Sequence, residues 1–382
     1  MKHYVSFIAG LLFFNFSIGQ DLPVPRNMIR AFEKGTRLAN GQPGPAYWQN
    51  TANYTIRASF DPATRSLQGN EEIEYFNNSP DTLRKLVIKL YPNYYKKGAA
   101  RTRDINPEDA SDGMDIKALV VNQKQIAEKD MVLESTNLFV NVTIYPHEKV
   151  NISAYFSYVL NKGSHNRTGQ VDEGSFFIAY FFPRVAVYDD IDGWNVYPYT
   201  GSYEFYHDFC NFDLTLRVPS RYVVWATGEH VNRAEVFTEP VLKRIFNAEA
   251  SDEMVTIIDS SDYRANRKIT RGQEINEWHF VGLGVPDMAL AMSDHYMWQS
   301  TSLAVDKTTS RRIRTRVDAV FNPAHQDYFM VLQDARKTIE AMSFRFPKWP
   351  FPYSHETVFD GLDQMEYPMM ANDNPIDDRP ES

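Results

Sequence analysis

The feature that most restricts this chain is a period-two alternation of apolar and polar residues, recurring between turn signals. Tyr54-Thr55-Ile56-Arg57-Ala58-Ser59-Phe60 alternates, and Asp61-Pro62 then turns the chain. Successive side chains of a strand point to opposite faces, so such a run buries one face of a sheet and makes a poor helix. Residues 72–76 read as the next strand, ended by Asn77-Asn78-Ser79-Pro80, and 86–90 as another. Ile152, Ala154, Phe156, Tyr158 and Leu160 keep the same period, and 212–218, 222–226 and 277–283 read as further strands. The 25 Phe and 22 Tyr suit half-buried pleated surfaces. Many short strands separated by turns predict a mainly β sandwich or saddle-like sheet assembly.

The pattern changes near residue 297. Asn322-Pro323 has the form of a helix start, with Asn as cap and Pro in the first turn. Tyr328, Val331, Leu332, Ala335, Ile339 and Met342 then recur at helical spacing and predict one buried face. The Pro-rich stretch 346–352 ends that helix, and 354–359 is extended again. The expected organisation is a signal peptide over 1–19, a Pro- and Gly-bearing lead-in over 20–48, a β-rich domain over 49–296, and an incomplete α+β domain over 297–382.

The signal peptide rests on Lys2, the apolar stretch 4–16 and the small residues around Ser17-Ile18-Gly19. That stretch is shorter than the roughly 20 residues a membrane span needs, so export without stable membrane insertion is expected. The destination is periplasmic or extracellular, with outer-membrane association left open. A net charge of -9 with no long basic run gives nucleic acid no phosphate-binding surface. Cys210 is the single cysteine, so no internal disulfide forms, and a buried thiol is expected.

Zinc hydrolases commonly carry His-Glu-x-x-His, whose histidines share one helix face. His147-Glu148 is followed by Lys149, Val150 and Asn151, and His355-Glu356 by Thr357, Val358 and Phe359. Neither has the second histidine, and both lie in strand-like sequence, so they read as structural or surface residues. Asp189-Asp190-Ile191-Asp192-Gly193 hints at a calcium loop, but the register would put ligands at Tyr188 and Tyr199, so an Asp-rich turn is the better reading. No Gly-rich phosphate loop and no Gly-x-Ser-x-Gly occurs.

Gly361-Leu362-Asp363-Gln364-Met365-Glu366-Tyr367-Pro368 stands apart. It resembles the exopeptidase motif Gly-x-Met-Glu-Asn of the aminopeptidase N family of zinc metallopeptidases, varied to Gly-x-Met-Glu-Tyr-Pro in bacterial members. Colinear segments extend the resemblance over most of the chain. Tyr47-Trp48-Gln49-Asn50-Thr51-Ala52-Asn53-Tyr54 is similar to the lead into the family's first strand. Phe182-Pro183-Arg184-Val185-Ala186-Val187-Tyr188 with Gly193-Trp194-Asn195, and Glu204-Phe205-Tyr206-His207-Asp208-Phe209, resemble the secreted bacterial branch. Ala226-Thr227-Gly228-Glu229 is similar to a strand end that follows, and 285–293 looks like the family's Val-x-Asp-Phe-Ala helix.

The resemblance implies a β saddle followed by a thermolysin-like catalytic domain. It also implies peptide substrates and a motif strand that pairs with them. Glu366 would bind the free α-amino group, a charge-assisted bond lost when the substrate continues past that point. Met365, Gln364 and Asp363 would accompany it in the substrate site. Asp363 and Gln364 replace smaller residues of the motif and would alter the first subsite. The family's Gln-x-Glu-Ala segment has no counterpart, and Phe177-Ile178-Ala179-Tyr180 stands in its place without a carboxylate. Zinc is implied by the family, yet no ligand for it is recognisable here, because His-Glu-x-x-His would follow the motif by about two dozen residues. The expectation is therefore the front part of a zinc aminopeptidase, inactive alone. The alternative is a non-enzymatic β protein that binds peptides or partner proteins.

Overall fold

The computed structural model describes residues 23–264, 268–306, 308 and 313–376. The expected signal peptide lies outside the described residues. Two compact units divide the chain, Met1–Tyr47 with Asp190–Asp192, and Trp48–Asp189 with Gly193–Ser382.

In the smaller unit, Pro25 precedes a helix, Arg26–Glu33, within what the sequence reads only as a lead-in. Its eight residues are too few for periodicity to announce it. The Thr36 hydroxyl donates to the Ala31 carbonyl at 3.1 Å. Arg37 donates to Asp190 from Nη2 at 2.7 Å and from Nε at 2.9 Å. The Asp-rich segment is a turn over 190–192, as its composition predicts.

The larger unit is mainly β, the class the alternation predicts. Thr51–Asp61 pairs antiparallel with Ser66–Phe76 along its whole length, from Thr51 opposite Phe76 to Asp61 opposite Ser66. Asp61 closes the loop between them, accepting from the Ala63 N–H at 3.0 Å and the Thr64 hydroxyl at 2.7 Å. Ser66–Phe76 pairs onward with Lys149–Val159, and Thr51–Asp61 runs parallel to Cys210–Pro219. With Ile275–Val285 and three shorter strands these make an eight-stranded sheet. Its inner face buries Tyr54, Ile56, Ile73, Phe156 and Leu214. Gly69 sits where a Cβ would meet the Phe156 ring at 2.9 Å, so the ring lies directly over its backbone. Cys210 is buried and free.

A four-stranded sheet packs on that face, ordered Val223–Ala226, Ala289–Ser293, Ser175–Ala179, Gly169–Asp172. Phe60 meets Phe176 edge to face at 5.0 Å across the interface. The helix expected within 285–293 is absent. Ala289–Ser293 is instead a strand buried at every residue. It pairs on both sides, with Ser175–Ala179 and Val223–Ala226, and a central strand reads as an unbroken apolar run.

A six-stranded sheet follows, ordered Val255–Ile258, Met297–Asp306, Ile313–Phe321, His355–Asp360, Met370–Asp373, Met365–Tyr367. Helix Tyr328–Phe344 covers one face, burying Tyr328, Leu332 and Ile339 against Leu303, Val317, Ala319 and Phe321. The helix starts later than Asn322-Pro323 predicts. The Asn322 side chain accepts from the Ala324 N–H at 3.0 Å, and Asp360 accepts from the Asn322 N–H at 2.9 Å. That turn is anchored to a strand end, which holds the chain out of helix until residue 328. Met342, expected on the buried face, is 47% exposed. The opposite face of the sheet joins the main core through Phe359 and Val320.

Candidate functional site

The Met-Glu segment forms the last strand of the six-stranded sheet. Met365–Tyr367 turns back through Pro368-Met369 onto Met370–Asp373, with Glu366 opposite Ala371. Met369 adopts a left-handed backbone, φ 66°, a conformation usually left to Gly or Asn at the position after a turn Pro. The turn is held from outside. The Thr227 hydroxyl donates to the Pro368 carbonyl at 2.8 Å, and the Gly228 N–H meets the Met369 sulfur at 3.2 Å. A side chain at Gly228 would strike the Val281 backbone at 2.6 Å, so this clamp requires glycine.

Alternation sorts the expected substrate residues. Met365 is half-buried towards the main core, while Glu366 is exposed on the other face of the strand. Gln364 is exposed. Asp363 is committed elsewhere, accepting from the Arg167 N–H at 2.6 Å and the Gln364 N–H at 2.9 Å. Gln364, Met365 and Glu366 line a groove of about 400 Å³ beside helix Tyr328–Phe344, together with Asp327, Asp334 and Asp373. No Lys or Arg lines it among the described residues. Burial pushes the Asp373 carboxyl above its usual range, with Asp327 and Glu366 adding repulsion. As the terminal strand, Met365–Tyr367 has a backbone edge with no neighbouring strand among the described residues.

Sequence reasoning does not single out Glu356 as part of this face. Val358 and Glu366 both pair with Ala371, so they share a face, and Glu356 lies two residues before Val358 on the same one. Burial pushes its carboxyl up to about 8, reinforced by Asp318 and Glu366. The acidic spacing along the strands carries the signal, but only the register shows that the carboxylates converge. The segment 177–180 is brought to the motif strand as well. The Tyr367 hydroxyl donates to that of Tyr180 at 2.8 Å, and Tyr180 stacks on Phe205 at 3.7 Å.

The residues described do not assemble a zinc site. No group of three or more His, Cys, Asp or Glu is placed to hold a metal among them. His355 and Glu356 are neighbours on one strand and so point to opposite faces. Burial, with help from Arg316, lowers the His355 imidazole to about 4. His147 lies in a turn with φ 59°, not in a strand, and Glu148 accepts from the Tyr145 N–H at 2.7 Å.

No known protein family and no curated protein matches the sequence. Among solved structures, the chain is similar to aminopeptidase A of Legionella pneumophila in complex with aspartic acid, at 10% identity and a TM-score of 0.49, over 84% of this chain and 30% of that one. It is also similar to an M1 zinc metallopeptidase from Deinococcus radiodurans, at 12% identity and a TM-score of 0.48, over 86% of this chain and 61% of that one. A two-domain M1 zinc metallopeptidase variant bound to L-arginine gives 12% identity and a TM-score of 0.49, over 87% and 62%. The chain thus spans less than two thirds of the length of each.

Proposed function

We propose that this chain is the substrate-recognising part of a zinc-dependent aminopeptidase. In this reading, Glu366 receives the α-ammonium of an extended peptide that pairs with the free edge of Met365–Tyr367. The observation that carries it is the placement of Glu366. It stands exposed on a terminal strand, over a groove with four lining carboxylates and no basic residue among the described ones. Such a surface favours a cationic group, and an open strand edge can pair with an extended chain. Met365 packs towards the core and fixes the strand's face, and the Thr227–Gly228 clamp fixes its turn. When bound, zinc would supply the activated water of such a reaction. The sequence holds no His-Glu-x-x-His. This chain's own contribution is therefore orientation of the amine end, with no hydrolysis by the chain alone. The motif resemblance and the export signal support a secreted enzyme.

The test is calorimetric titration of the chain with Leu-Gly-Gly and with its N-acetylated form. A contact between an exposed carboxylate and an ammonium is worth about 1 kcal/mol, so the free-amine peptide should bind roughly five-fold tighter. Glu366→Gln should erase that difference. Equal affinity for both peptides in the unaltered chain would overturn the assignment.

A further inference from the structure

A second cavity lies away from the Glu366 groove, where the strand ending in Ala226-Thr227-Gly228-Glu229 meets the six-stranded sheet. It encloses about 210 Å³ and is lined by aromatic rings and by charges of both signs. That volume is below the range of about 300–1,000 Å³ typical of drug-sized ligands, so it suits something the size of one residue. Trp225 and Trp298 meet edge to face at 5.7 Å and supply an apolar wall. His230 stacks on Phe280 at 4.7 Å at another wall.

The charges are unevenly spent. Arg316 is consumed, with Nε and Nη2 on Asp318 at about 3.0 and 2.9 Å and Nη1 on Glu249 at 3.2 Å. The Arg233 guanidinium uses one nitrogen, Nη1, on Glu249 and has no other hydrogen-bond partner among the described residues. Arg314 engages Ser302 through Nε at 3.0 Å and Asp252 through Nη2, leaving Nη1 with no hydrogen-bond partner among the described residues. Glu229 accepts only from the Ser354 hydroxyl and pairs with no Arg or Lys among the described residues. Burial, partly offset by Asn232, brings the His230 imidazole down to about 3. His230 and His355 are both neutral at physiological pH and leave this balance unchanged.

Two guanidiniums with unspent donors and one carboxylate with no direct ion pair among the described residues therefore border one small aromatic cavity. A bare anion would meet Glu229, and a bare cation would meet the guanidiniums. A ligand carrying both charges satisfies both. We propose that this cavity binds a free α-amino acid, its carboxylate on Arg233 and Arg314, its ammonium on Glu229, and its side chain against Trp225 and Trp298. Guanidinium forks match a carboxylate with paired hydrogen bonds, which sets orientation as well as affinity. The site is independent of the peptide-binding reading of Glu366.

Calorimetric titration of the full chain with L-phenylalanine, 3-phenylpropionate and phenethylamine tests it. L-phenylalanine should bind about ten-fold or more tighter than either analogue, since each analogue strands one charged partner. Arg314→Met should cost a similar factor, with folding checked by circular dichroism. Glu229→Gln, a change at the cavity mouth, should bring L-phenylalanine and 3-phenylpropionate to comparable affinity even if Arg314→Met fails to fold. The same titrations are repeated in Glu366→Gln, which removes the ammonium partner assigned to the other groove; there L-phenylalanine should still bind about ten-fold or more tighter than 3-phenylpropionate. The proposal is overturned by any of three results: 3-phenylpropionate binding the unaltered chain as tightly as L-phenylalanine, loss of that preference in Glu366→Gln, or no heat with L-phenylalanine up to about 10 mM.

Discussion

The eight-stranded sheet and the central strand of the six-stranded sheet treat buried charge in opposite ways. The inner face of the eight-stranded sheet is largely apolar along strand after strand, with one buried carboxylate among the described residues. Glu71 is buried with neither carboxylate oxygen hydrogen-bonded among the described residues. Burial alone pushes its carboxyl well above the usual range, which favours the protonated form. The central strand of the six-stranded sheet instead carries Arg316 and Asp318 two residues apart on one face. They are ion-paired at 2.9 Å, and the Thr357 hydroxyl donates to the same carboxylate at 3.2 Å. The eight-stranded sheet favours the neutral form of its isolated acid, while the central strand of the six-stranded sheet pairs its two charges; Glu356, on the next strand, is pushed towards its neutral form as Glu71 is. Of the pair, Arg316 lines the 210 Å³ cavity.

The largest effect should come from breaking the pair. Asp318→Ala leaves Arg316 uncompensated on that side and should lower unfolding free energy by about 3–5 kcal/mol in urea denaturation. The opposite sign is expected in the other sheet. Glu71→Met replaces an unsatisfied carboxyl with an apolar chain and should raise stability at pH 7 by about 1–3 kcal/mol.

Titration separates the regions further. His207, His230 and His355 are held neutral mainly by burial, at about 4, 3 and 4, against an ordinary 6.5. Below pH 6.5 the unfolded chain binds protons that the folded chain refuses, so stability should fall as pH drops towards 4. Melting temperatures across pH 4–7 check this. Glu356 acts on the alkaline side. Its folded value of about 8 lies above the ordinary 4.5, so its contribution is complete at low pH and is lost as pH rises through 8. Glu356→Gln should therefore gain roughly 1 kcal/mol over the unaltered chain at pH 9 and nothing near pH 4. The smallest effect is expected at Glu366, where Gln should change stability by less than about 0.5 kcal/mol, because the side chain is exposed and makes no hydrogen bond among the described residues. A larger loss would show a structural role for that carboxylate.

Legibility differed between the same two sheets. The strands of the eight-stranded sheet were readable because one face is wet and the other dry, so 54–60 and 152–160 announce themselves by period. Residues 285–293 misled because a strand with neighbours on both sides and packing on both faces loses its alternation. Asn322-Pro323 misled because a cap signal is local, while the bond from Asp360 that holds the turn comes from far along the chain. Of the candidate site, Met365 and Glu366 could be named from the motif, but their separation onto opposite faces depends on the strand's position at the sheet edge.

By itself, the sequence determined the mainly β class and the presence of an amphipathic helix near residues 328–342. Side-chain period is a property of neighbouring residues and needs no partner to be read. Tertiary structure alone decided that Thr227 and Gly228 clamp the motif turn. It alone brought Glu356 and Glu366 to one face and Glu229 to the cavity that Arg233 and Arg314 also line. The first of these joins residues 141 positions apart, and strand register and packing of the sheets bring such residues together.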